Sequence, residues 1–173
     1  MEQVLLVDGY NMIGAWPELT KLAAENLEDA RDRLVDMLAE YRAFSGKRVI
    51  VVFDAHQVPG TGNRHLKSGV EVIYTREKET ADECIERLAG ELSGPRTVLQ
   101  VATSDYTEQR VAFGRGALRL SARELLFAVE ESRASICRKL EEPRLPRQGT
   151  IDSALSDELK RRMEQWRRGD WKR

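Results

Sequence analysis

The sequence predicts an α/β fold: a central parallel sheet of about five strands in a Rossmann-like, three-layer arrangement, followed by a basic C-terminal helix. Two observations carry this. Compact apolar runs, too short for helices, alternate with stretches of helical periodicity. Three of those runs (residues 3–8, 47–55 and 96–105) carry an aspartate at or next to their last position: Asp8, Asp54 and Asp105.

QVLLVD at 3–8 reads as a buried parallel strand. A short helical turn is expected near Pro17. Residues 27–44 place Leu27, Leu34, Met37, Leu38, Tyr41 and Phe44 at helical spacing, with Asn26 as N-cap and Gly46 as stop. KRVIVVFDA at 47–55 is the second strand. VPGTGNRHLKSG at 58–69 is rich in Gly, Pro and polar residues and reads as a mobile loop. GVEVIYT at 69–75 is the third strand, and 80–92 a helix opened by a Thr80/Glu83 capping box. RTVLQVATSD at 96–105 is the fourth strand, 106–113 a short helix and ALRLS at 117–121 a fifth strand. Residues 121–142 form a long amphipathic helix with a second capping box, Ser121/Glu124. A linker with Pro143, Pro146 and Gly149 leads to a basic helix at 152–168. The expected organisation is therefore one domain over 1–142 and a linker with a basic helical tail over 143–173.

At 173 residues, 41% hydrophobic and 33% charged, the chain has the make-up of an ordinary globular protein. No stretch approaches the ~20 apolar residues of a membrane span. The N-terminus enters a strand directly, without the basic and apolar regions of a secretory leader, so a cytoplasmic protein is expected. Cys84 and Cys137 follow no motif spacing and read as two buried thiols. The net charge of −1 hides an asymmetry. Residues 1–137 hold 17 Lys/Arg against 22 Asp/Glu, and residues 138–173 hold 11 against 7. A basic tail on an acidic body suits contact with nucleic acid, although charge runs are also ordinary solvated faces.

In a parallel sheet all strand-end carboxylates share one edge, where ligands gather at the point of strand-order reversal. Asp8, Asp54 and Asp105 therefore fall on one edge, and Asp82, in the first turn of the 80–92 helix, begins there too. Several carboxylates together cannot all ionise without compensating charge. A hard divalent cation, Mg2+ or Mn2+, supplies it through oxygen ligands. Each aspartate also has a plainer reading: Asp is a common turn residue, and Asp82 suits a helix N-terminus. The residues singly leave both open. Gly9 suits close approach of backbone to a ligand. Asn11, Thr103 and Ser104 offer hydrogen bonds to a phosphate or to a turn. His56 and His65 have no spacing that supports metal-free acid/base cleavage, and no Cys/His set has zinc spacing.

Arg64, His65 and Lys67 are expected to overhang the acidic edge from the loop, with Arg76 and Lys78 ahead of Asp82, as sequence-independent phosphate contacts. The tail, KRRMEQWRRGDWKR, mixes Lys/Arg with Trp166 and Trp171, which suits RNA binding with base stacking and equally suits docking onto the domain.

Taken in order, VDGYN at 7–11, VVFDAH at 51–56, TADECIE at 80–86 and ATSD at 102–105 resemble the NYN-domain ribonucleases, relatives of the PIN-domain nucleases, and specifically their YacP-like bacterial branch. The likeness spans most of 1–141, and no motif departure removes a metal ligand. The resemblance implies a PIN-like fold and Mg2+- or Mn2+-dependent RNA cleavage. Asp8, Asp82 and Asp105 match the family's acidic site, Asn11 the amide following the first aspartate, and Asp54 a lower-ranked aspartate after the second strand. It also implies RNA as partner, with association with ribosomes and mRNA decay at the level of the family. Two other readings compete: a non-catalytic RNA- or ribosome-binding module, and a receiver-like phosphoryl-transfer domain. The second lacks an acidic pair after strand one and a well-placed lysine after strand five.

Overall fold

The computed structural model describes residues 1–54, 64–76, 78–104 and 116–141, with side chains to 138. Asp105, His56, the expected helix at 106–113 and the tail lie outside the described residues. The chain divides into two units, Met1–Cys137 and Arg138–Arg173, and the sheet belongs to the first.

The central strand β1 (Glu2–Asp8) leads into two short helices, α1 (Gly9–Ala15) and α2 (Pro17–Glu25), where the sequence suggests only a turn. Trp16, between them, is fully buried, and its indole N–H donates to the Ala122 carbonyl at 2.9 Å. Helix α3 (Leu27–Ser45) follows. The Asn26 side chain caps it by accepting from the Glu28 amide at 2.9 Å, and Gly46 ends it in the left-handed region at φ +71°. Next come β2 (Arg48–Phe53), β3 (Arg64–Lys67), β4 (Val70–Tyr74), α4 (Ala81–Leu92), β5 (Thr97–Ala102), β6 (Leu118–Leu120) and α5 (Ala122–Glu141). Both expected capping boxes form: the Thr80 hydroxyl accepts from the Glu83 amide and the Ser121 hydroxyl from the Glu124 amide, each at 3.2 Å.

The sheet has six strands in the order β3-β4-β2-β1-β5-β6, one more than expected. All neighbours are parallel except β3, which pairs antiparallel with β4. Residues 64–67, read as part of a mobile loop, are therefore an edge strand. The connection is a two-residue hairpin whose Ser68 and Gly69 both take positive φ, +51° and +82°. That backbone matches strand twist and favours Gly at the second position.

Alternate residues of β1 feed two separate cores. Leu5 and Val7 pack with Met12, Leu34, Leu38, Val51 and Leu125 on the face covered by α1, α2, α3 and α5. Val4 and Leu6 pack with Ile50, Val52, Cys84, Ile85 and Leu88 under α4. A strand buried on both faces reads as a continuous apolar run, as LLV does. Cys84 lies in this second core, whereas Cys137 is exposed, contrary to the expectation of two buried thiols. An exposed position on one side of an amphipathic helix tolerates a small residue that sequence alone takes for core.

From β1 the chain runs outward to β2 and β4. Helix α4 then carries it back across β1, β2 and β5, so that β5 lies on the other side of β1. Strand order therefore reverses at β1, whose carboxyl end is Asp8.

Candidate metal and nucleic-acid site

Asp8 is the last residue of β1, only 7% exposed, and pairs in register with Val52. Its carboxylate also caps α1, accepting from the Asn11 amide at 3.1 Å. One strand-to-helix junction thus fixes the carboxylate's backbone and one of its lone pairs. The rest of Asn11 faces the opposite neighbour: its side-chain oxygen accepts from the Ser104 amide at 2.7 Å. Asn11 ties the end of β1 to the end of β5, and Ser104 spends its backbone donor there. Beside it, fully buried Thr103 donates its amide to the Leu120 carbonyl at 3.2 Å.

Gly9 is needed for packing. A Cβ on it would stand 2.2 Å from Cε1 of Phe53, so the space expected for a ligand is taken by an aromatic ring. That ring opens a row the sequence reading missed. Tyr10 meets Phe53 edge-on at 5.3 Å, Phe53 stacks on Tyr74 at 5.7 Å, and Tyr74 stacks on His65 at 5.9 Å. The Tyr10 hydroxyl accepts from Arg31 at 3.0 Å, and burial holds the Tyr74 phenol above its ordinary pKa. The available signal was an aromatic residue beside each strand end: Tyr10 after Asp8, Phe53 before Asp54 and Tyr74 closing β4.

Asp54 directly follows β2 and is half-buried. Asp82 is exposed in the first turn of α4, behind the Thr80 cap. Among the described residues no three His, Cys, Asp or Glu side chains stand close enough together to hold a metal ion. Asp8, Asp54 and Asp82 offer oxygen donors alone, which suit Mg2+ or Mn2+ and not a thiolate- or imidazole-loving metal. Asp105, the remaining expected ligand, lies outside the described residues.

The basic residues divide. Successive side chains of β3 point to opposite faces. Arg64 lies on the α4 face, ion-paired with Glu71. His65 lies on the α3 face against Tyr74. Lys67 pairs in register with Val70, at the amino end of β4, and its ammonium binds Asp32 at 2.8 Å. Lys67 therefore does not overhang the acidic edge as expected, because the hairpin carries it to the far end of the strand. Arg76 and Lys78 do stand at the acidic edge, in the connection from β4 to α4. Lys78 takes φ +77° within a turn closed by the Glu79 amide on the Arg76 carbonyl at 3.0 Å. The Glu79 carboxylate accepts in turn from the Arg76 amide at 3.3 Å and pairs with Arg87 at 2.9 Å.

Comparison with known proteins adds a second line. The model of the YacP-like NYN domain matches residues 5–168. The chain is 54% identical over 172 residues to the uncharacterized protein YacP of Bacillus subtilis (strain 168), covering 96% of this chain and 98% of that one. A crystal structure of Rae1 (YacP) from Bacillus subtilis superimposes with a TM-score of 0.71 at 52% identity, covering 96% of this chain and 95% of that one. A tryptophan-to-leucine mutant of Rae1 superimposes with a TM-score of 0.71 at 55% identity over 80% of this chain and 81% of that one.

Proposed function

This chain belongs to the YacP-like NYN domain family, whose kinship points to a PIN-like nuclease, and on that premise we propose that it is a metal-dependent endoribonuclease. The observation that carries the reading is the place of Asp8: a nearly buried carboxylate at the carboxyl end of the central strand, where strand order reverses.

Asp8, Asp82 and Asp105 hold Mg2+ or Mn2+ in this reading, with Asp54 as a further ligand or as support. When bound, the metal makes water a usable nucleophile near neutral pH and offsets charge on the phosphate. The chain's own residues do the positioning. Asp8 is held by a strand buried on both faces and by the Asn11 amide. Asn11 couples that position to the end of β5. Arg76 and Lys78, at the same edge, attract the RNA backbone without reading bases. Hydrolysis by water does not use the ribose 2′-hydroxyl, so the product carries a 5′-phosphate. The substrate is RNA, in this proposal mRNA met on the ribosome in the cytoplasm. Among the described residues no helix is long and apolar enough to cross a membrane.

The test uses end-labelled RNA, naked and on translating ribosomes, with EDTA, Mg2+ or Mn2+. Metal-dependent cutting that is lost in Asp8→Asn and Asp82→Asn is expected. Cutting that persists after chelation, or in both variants, overturns the mechanism.

A second reading, an RNA- or ribosome-binding module without catalysis, draws on Arg76 and Lys78 in the connection from β4 to α4. It predicts salt-sensitive binding and no cleavage in any metal.

A further inference from the structure

Between the end of β4 and helix α4 lies a cavity of about 150 Å³, on the face of the sheet opposite His65 and Lys67. Arg64, Arg76 and Arg87 line it, reaching it from an edge strand, a connection and a helix; Glu79 and Glu91 line it too. We infer that this cavity is a subsite for a backbone phosphate of single-stranded RNA, separate from the aspartates. The inference rests on the nuclease reading for its choice of ligand and adds a site to it.

The charges in the cavity are unevenly committed. Arg87 is bound to Glu79 at 2.9 Å and to Glu91 at 3.3 Å. Arg64 is paired with Glu71, which is not part of the lining. The Arg76 side chain has no acidic partner among the described residues, and its backbone is fixed at both ends by Glu79. Among the described lining residues three guanidiniums therefore face two carboxylates, and Arg76, held by its backbone, presents the guanidinium with no acidic partner there. A guanidinium fork matches phosphate oxygens well. The Glu79–Arg87 pair holds the turn that presents Arg76. Exposed Glu91 holds Arg87, and it competes with an incoming anion for that side chain. Such a site gives modest, sequence-independent affinity. It also gives a direction to the strand: RNA reaching the aspartates passes on the α4 side of β4, away from Lys67.

The opposed charges allow a two-signed test. A labelled, unstructured RNA oligonucleotide is titrated with the full chain in EDTA, so that binding is read without cutting, across a range of salt. Arg64→Gln and Arg76→Gln are expected each to weaken binding about threefold or more at low salt. Each should also flatten the slope of log affinity against log salt by about 0.7, the value for one phosphate no longer neutralised on a single strand. Glu91→Gln is expected to tighten binding. Arg133→Gln, on α5, removes the same charge from an unrelated pair with Glu40 and is expected to change nothing. Thermal melts confirm that each variant is folded. Arginine variants that bind like Arg133→Gln, or a Glu91→Gln that fails to tighten, overturn the subsite. Metal-dependent cleavage is assayed separately. Its absence alongside the two-signed binding pattern sinks the nuclease reading and leaves the subsite, while cleavage without that pattern does the reverse.

Discussion

Asn11 and Ser104, 93 residues apart in sequence, are joined by a 2.7 Å hydrogen bond from the Ser104 amide to the Asn11 side-chain oxygen. Asn11 also donates its own amide to Asp8 at 3.1 Å. One residue thus sets the spacing between the ends of β1 and β5. Its amide side chain is engaged within the protein, which makes it a positioning residue.

Asn11→Ala is therefore expected to lower metal-dependent cleavage by about 10- to 100-fold, the cost of losing an orienting partner. Because the backbone donor to Asp8 survives, α1 keeps its cap. The discriminating measurement is a metal titration of activity. A raised half-saturating metal concentration with an unchanged melting temperature supports positioning. Weakened folding with an unchanged metal requirement refutes it.

Gly9 and Phe53 allow a sharper structural prediction. A methyl at Gly9 collides with the Phe53 ring at 2.2 Å, and the ring is held between Tyr10 and Tyr74. Gly9→Ala is expected to cost about 1–3 kcal/mol through overpacking. Phe53→Leu in the same chain makes room, so the double variant recovers part of that loss. Urea unfolding of the two single variants and the double variant checks this, and strictly additive losses disprove the contact.

The same residues mark how far the sequence could be read. The places of Asp8, Asp54 and Asp82 at strand ends and in a helix's first turn are legible because each follows a local signal: a buried apolar run in two cases and a capping box in the third. The β3 strand was not, because RHLK is exposed and has no apolar alternation; it is a strand only through its pairing with β4. The cue that existed was Ser68-Gly69 between two extended runs. Gly9 misled for the same reason: its neighbour, Phe53, is distant in sequence. Whether the carboxylates converge is a tertiary property that no spacing along the chain encodes.

Glu71 gives the stability a pH dependence. Arg48 binds its carboxylate at 2.5 Å, Arg64 binds it as well, and these hydrogen bonds hold its pKa below the usual 4.5 despite partial burial. A depressed folded pKa stabilises above the unfolded value, and that contribution fades as pH falls through the folded one. Glu71→Gln is expected to lose on the order of 1–2 kcal/mol at pH 7, with the gap to the parent protein closing towards pH 3. Denaturant midpoints at the two pH values measure it. A gap that is constant with pH rules out the charge as its source.

The two cysteines are expected to differ sharply in reactivity. Cys84 is fully buried under α4, and burial pushes its thiol up to about 11, while Cys137 is exposed. Arg87 approaches the Cys84 sulfur at 3.4 Å, and its charge favours the thiolate, but desolvation is the larger effect. Raising the Cys84 thiol from the ordinary 9.0 to about 11 cuts its thiolate fraction near pH 8 by about 100-fold, and burial also blocks the reagent. A disulfide reagent at pH 8 should therefore label one thiol per chain quickly and the second only after unfolding. In Cys137→Ser the fast phase should vanish, and in Cys84→Ser it should remain unchanged. Two thiols reacting at comparable rates in the folded protein would mean that the α4 face opens readily, and the packing of Cys84 against the sheet would have to be revised.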